Sequence, residues 1–122
     1  MRKLWLDDLR PVPDKTWDKV KNYNEFCSYI LLNGVPDIIS FDHDLGKDHY
    51  VSFIKDKKKH ILEEFDIPNG YDCVKWLIRH DYEVKEFYCH SANPIGKQNI
   101  LCLLGNWNDF CNERKKKANG KL

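Results

Sequence analysis

The sequence predicts an α/β domain built on a short parallel sheet of about four strands, with helices on both faces. Short apolar runs alternate with segments of helical period, the pattern of strand–helix–strand units. Three of those runs end in polar residues: Asp7-Asp8, Asp42-His43-Asp44 and His90-Ser91-Ala92-Asn93. A parallel sheet gathers such ends along one edge, where ligands bind. The 122 residues fit one domain spanning 1–122, with a polar insertion at about 47–68 and a basic tail at about 114–122.

Each element has its own signal. Lys3 to Leu6 is a short strand ending in the acidic pair. Pro11 and Pro13 keep the following loop out of a helix. Thr16 to Val20 alternates and is rich in strand formers. Tyr23, Phe26, Cys27, Ile30 and Leu31 lie on one face of a helix, with Asn22 as N-cap and Gly34 past its end. Ile38 to Phe41 reads as a buried strand. Residues 47 to 66 are polar and carry the basic run Lys55 to His60, which reads as a solvated face. Asn69-Gly70 breaks the chain, and Tyr71, Val74, Leu77 and Ile78 mark a second helix. Val84 to Cys89 is the next strand. Ile100, Leu103, Leu104, Trp107, Phe110 and Cys111 mark a last helix, whose end carries Arg114 to Lys117 against its negative pole.

Composition narrows the function classes. Lys plus Arg is 20 and Asp plus Glu is 19, a net charge of +1. That balance argues against a purely electrostatic nucleic-acid binder, and duplex DNA is not an expected partner. An apolar content of 42% excludes disorder. No apolar run approaches a membrane span, and the N-terminus lacks a signal-peptide stretch. The five cysteines form no CxxC pair and read as small buried hydrophobes in a reducing compartment. A cytoplasmic protein is expected.

The strand ends carry the chemistry. Asp7, Asp8, Asp42 and Asp44 could bring carboxylates together, which repel unless a cation intervenes. Such oxygen-rich sites suit a divalent metal, Mg²⁺ or Mn²⁺ first, with Zn²⁺ possible through histidine. His43 and His90 are candidate acids or bases with Asp44 beside them, although Asp44-Leu45-Gly46 is also turn chemistry. Arg10 either balances the acid or clamps a phosphate. Asn93-Pro94-Ile95-Gly96 leads into the last helix, whose N-terminus with Ser91, Asn93, Gly96 and Lys97 is a candidate phosphate site or a plain cap. His49, His60 and His80 read as solvated.

Four ordered motifs carry a resemblance. Leu4 to Pro13, Ser40 to Gly46, Gly70-Tyr71-Asp72 and His90 to Gly96 resemble the family of cyclic-phosphate processing receiver-like domains. The likeness spans about residues 3 to 104. More distantly, the layout is similar to response-regulator receiver domains. The resemblance implies strand order 2-1-3-4, Asp7 and Asp8 as the Mg²⁺-binding acidic pair, Asp42 at the phospho-acceptor position, and His90 or Ser91 at the Ser/Thr position. The chain also departs from a receiver. The Pro-rich loop 9 to 15 leaves no room for the first receiver helix, no fifth strand with its Lys follows the last helix, and His43, Asp44 and His90 are additions.

The expected function is therefore metal-assisted hydrolysis of a cyclic phosphate, at an RNA 2′,3′-cyclic end or in a cyclic nucleotide. The resemblance implies a setting in RNA repair or nucleotide-signal conflict, anti-defence included, in a bacterium or in a host cytoplasm if phage-encoded. Asp7, Asp8 and Asp42 would hold the metal; His43, His90 and Asp44 would move protons; Arg10, Ser91, Asn93, Gly96 and Lys97 would hold phosphate. The alternatives are a non-catalytic module that sequesters a cyclic nucleotide, and a degenerate phospho-receiver.

Overall fold

The computed structural model describes residues 1–45 and 68–120. The polar insertion expected at about 47–68, with Lys55 to His60 and His49, falls almost wholly outside the described residues, and so does Gly46. The element order is β1 (Lys3–Leu6), β2 (Trp17–Val20), α1 (Tyr23–Asn33), β3 (Ile38–Phe41), α2 (Gly70–Arg79), β4 (Glu86–Cys89) and α3 (Pro94–Gly120). The four strands form one sheet in the order β2-β1-β3-β4, and every pairing is parallel. This is the predicted class, sheet and order.

Local chemistry sets the helix ends. Asn22 caps α1 by accepting the Glu25 amide at 2.8 Å, and Gly34 leaves the helix at φ 80°, a backbone angle that favours glycine. A capping box opens α2: the Asn69 side chain accepts the Asp72 amide at 3.0 Å while Asp72 accepts the Asn69 amide at 2.8 Å. Asn93 accepts the Gly96 amide at 3.0 Å at the start of α3.

One core holds the layers together. Leu4, Leu6, Ile39 and Phe41 from the sheet meet Phe26 and Ile30 of α1, Val74 and Leu77 of α2, and Ile100 and Leu104 of α3. Two residues of the predicted core faces are exposed instead: Leu31 is 67% exposed and Phe110 is 52% exposed. Leu31 points about 120° round the helix from the direction of Phe26 and Ile30, too far to reach the sheet. Phe110 stacks on Trp107 instead, with the Arg114 guanidinium 5.1 Å from its ring centre.

Among the described residues, the helices lie on one face of the sheet. Strands β2, β3 and β4 follow one another in the same direction across the sheet, so right-handed crossovers put α1 and α2 on the same face. Helix α3 packs on α2 and β4 beside them. The step from β1 to β2 runs the other way, so a crossover helix there would lie on the opposite face. That connection is the Pro-rich loop, which is not helical. Among the described residues, the second face is open. Strand alternation and the register put Trp17, Lys3, Ile38 and Glu86 in one row across it, and Lys19, Trp5, Ser40 and Tyr88 in the next.

Candidate functional site

The ladder continues one residue past three strands. The Asp7 amide donates to Val20 O at 3.0 Å, the Asp42 amide to Leu6 O at 2.9 Å, and the His90 amide to Phe41 O at 3.0 Å. Alternation therefore makes Asp7, Asp42 and His90 a third row of the open face, at its carboxyl end.

Asp7 is the hub. It is 1% exposed. Its Oδ1 accepts the amides of Leu9 at 2.8 Å and Arg10 at 2.9 Å, the turn chemistry of aspartate. Its Oδ2 meets His90 Nε2 at 2.9 Å and Arg10 Nη1 at 3.5 Å. Burial opposes ionisation, but the amides of Arg10 and Leu9 together with His90 outweigh it and hold the carboxyl below its ordinary value. Asp42 is also buried, and its carboxyl is pushed up by burial and by the charge of Asp7, against the pull of Ser91 and Arg10. Arg10 Nη1 lies 3.9 Å from Asp42 Oδ1 and donates to the His90 carbonyl at 3.1 Å. Carboxylate oxygens of Asp7, Asp8 and Asp42 lie within 4.8 Å of one another.

His90 is held at both ring nitrogens and on one ring face. Its Nδ1 lies 2.8 Å from Ser40 Oγ, and its ring stacks flat on the Trp5 indole. Burial pushes its pKa down, against the attraction of Asp7. A neutral ring in this network donates Nε2–H to Asp7 and accepts the Ser40 hydroxyl at Nδ1, an assignment made from the hydrogen bonds.

A second pair flanks the row. His43 Nδ1 lies 2.8 Å from Asp44 Oδ1, and Asn93 Nδ2 donates to the same oxygen at 3.4 Å. Asp44 thus engages one ring nitrogen and leaves Nε2 as the other. Two glycines let the helices come this close. A Cβ on Gly96 would stand 2.3 Å from the His43 ring, and one on Gly70 would stand 1.9 Å from the Asp42 carbonyl oxygen.

The predicted residues divide accordingly. Asp7, Asp8, Asp42, Arg10 and His90 converge, with Ser91 behind Asp42, and His43, Asp44 and Asn93 form the adjoining group. Gly96 gives its amide to the Asn93 cap and its open side to His43, so its place is packing as well as capping. Lys97 is exposed in the first turn of α3. Sequence reading missed Ser40, Trp5 and Gly70. Ser40 had a signal: a hydroxyl inside an apolar strand needs a partner.

The chain matches the family of cyclic-phosphate processing receiver domains over residues 2–106. It belongs to that family. No curated protein and no solved structure gave a significant match. Within this cyclic-phosphate processing receiver domain the family match takes in every element from β1 to the middle of α3. No helix among the described residues is long and apolar enough to cross a membrane.

Proposed function

We propose that this receiver domain hydrolyses a cyclic phosphate with the help of a divalent cation, Mg²⁺ or Mn²⁺, held by Asp7, Asp8 and Asp42. The observation that carries the reading is the approach of three carboxylates within 4.8 Å, with Arg10 beside two of them, in a family whose description names cyclic-phosphate processing. The donor set fits such a cation. It is all oxygen, which suits a hard ion better than Zn²⁺, and the charge of Asp7 already disfavours ionisation of Asp42. When bound, the ion supplies Lewis acidity toward a phosphoryl oxygen and the attacking water.

The chain's own groups take the remaining work. Arg10 is 45% exposed, and the solvent-facing part of its fork binds a phosphate oxygen. His43 moves the proton at Nε2, because Asp44 fixes the ring through Nδ1. His90 is a positioning residue that holds Asp7. Lys97 and Asn93 complete the anion side at the start of α3. The substrate is an RNA 2′,3′-cyclic end or a cyclic nucleotide, and which of them it is decides between repair and removal of a signal.

A mass-spectrometric turnover screen tests this. The full chain meets 2′,3′-cyclic, 3′,5′-cyclic and cyclic oligonucleotide phosphates with Mg²⁺, Mn²⁺ or EDTA. Ring opening that EDTA abolishes is the expected result. Ring opening unaffected by EDTA overturns the metal, and no turnover overturns the enzyme. One observation favours the sequestering alternative: both nitrogens of His90 are engaged, so it offers no free base. That reading expects one intact ligand recovered after long incubation.

A further inference from the structure

We infer that the open face of the sheet is a platform for single-stranded RNA, and that it leads the RNA end to the Asp7–Asp42–His90 row. The inference deepens the proposed function by naming its substrate class, and it rests on that reading.

Among the described residues, the rings on this face lie outside the hydrophobic core. The helix-covered face carries Leu4, Leu6, Ile39 and Phe41, all fully buried in the core. The open face carries Trp17 on β2, Trp5 on β1 and Tyr88 on β4. Tyr88 is 53% exposed, and both tryptophans keep part of their surface in solvent. Water-facing strand positions are ordinarily polar. Aromatic side chains spread over a four-stranded sheet suit one ligand type above others, unpaired bases, which stack on them whatever their sequence.

Charge on the same face selects a phosphate backbone. Lys3 and Lys19 alternate with the rings, and the Lys3 ammonium lies 5.1 Å from the centre of the Trp17 ring. The single carboxylate in the two strand rows, Glu86, is engaged by the Tyr88 hydroxyl at 2.6 Å. Arg10 stands at the carboxyl end, where its carbonyl accepts Lys19 Nζ at 2.7 Å. Lys3, Lys19 and Arg10 give this face and its carboxyl end a local set of cations. A local patch suits a short strand better than a duplex.

The platform and the site are continuous. Trp5 carries His90 on its ring, and His90 carries Asp7. A strand stacked on the face runs along the sheet toward the carboxylates. Only RNA has the 2′-hydroxyl that closes a 2′,3′-cyclic phosphate, so the reading joins this platform to that substrate.

Fluorescence anisotropy with the full chain tests the platform. The probes are a labelled six-nucleotide RNA ending in a 3′-hydroxyl, the same RNA ending in a 2′,3′-cyclic phosphate, and its duplex. Both single strands are expected to bind, and the duplex more weakly. Tyr88→Ala and Trp17→Ala are expected to weaken binding roughly 5- to 100-fold each. Tyr88→Phe keeps the ring and stays near wild type, with melting curves confirming that each variant is folded. In turnover the penalty should fall on KM for the oligonucleotide, with kcat kept. A duplex bound as tightly as the strand, or ring variants that bind like wild type, would overturn the platform. Turnover of a cyclic mononucleotide with no preference for the oligonucleotide overturns the platform and keeps the hydrolase. Ring-dependent RNA binding without turnover keeps the platform and overturns the hydrolase.

Discussion

The His90 ring lies on the Trp5 indole with centroids 3.7 Å apart and planes 4° from parallel. The stack removes one face of the imidazole from water, while Ser40 and Asp7 take its two nitrogens at 2.8 and 2.9 Å. A histidine so enclosed orients the Asp7 carboxylate that it meets.

His90 should titrate below its ordinary value of 6.5, because burial outweighs the attraction of Asp7. The unfolded chain then takes up the proton first as pH falls. Stability from this group is full above about 6.5 and is lost as pH drops through the folded value. Denaturant midpoints between pH 7.5 and 5.5 should decline in the wild type and decline less in His90→Gln. An NMR titration midpoint above 6.5 would reverse the sign.

Asp42→Asn should abolish turnover and raise stability. The Asp42 carboxyl is pushed up by burial and by Asp7, so its folded value exceeds the unfolded one. Its contribution to stability is lost as pH rises from 3.8 through the folded value, and at neutral pH the ionised group is a net cost. Removing the charge should gain about 1 kcal/mol, several degrees in Tm in EDTA. A lower Tm would show that Arg10 and Ser91 more than compensate the repulsion.

Three glycine substitutions should separate in sign. Gly70→Ala puts a Cβ 1.9 Å from the Asp42 carbonyl oxygen, which is backbone and cannot swing away. It should cost roughly 3 kcal/mol or more and disable the site. Gly96→Ala meets the His43 ring at 2.3 Å. That ring can turn, so the loss in Tm should be smaller while turnover falls. Gly105→Ala has nothing within 4 Å and sits inside α3, so it should gain about 0.5–1 kcal/mol. Thermal melts of the three variants check the order.

Mn²⁺ or Mg²⁺ should raise the Tm of the wild type in proportion to the logarithm of its concentration, as any ligand of the folded state does. Asp7→Asn should lose most of that shift. A shift that is the same in Asp7→Asn and in the wild type would move the ion elsewhere.

Much of the fold was legible because its signals are local. The caps at Asn22 and Gly34, the apolar strands and the helical spacing of Phe26 and Ile30 lie within a few residues of what they control. The acidic pair and the strand-end histidines were legible as chemistry for the same reason. What could not be read depends on distant pairs. His90 and Asp7 are 83 residues apart, and His90 and Ser40 are 50 apart, so no window of sequence shows that the ring is engaged. The open face was within reach. The Pro-rich loop after β1 already excluded a helix, and crossover handedness then leaves the second face without a helix from that connection. The role of Gly96 was out of reach, because it depends on where His43 packs.

The alternation that places Asp7 and Asp42 on the open side also guards the pairing of the strands. Sliding β3 by a single residue would carry the Asp42 carboxylate in among Leu6 and Phe26, and would turn Phe41 out to water. A buried unpaired charge costs several kcal/mol. The acidic residues therefore act as a proofreading device during assembly, rejecting misaligned sheets before any ligand is met.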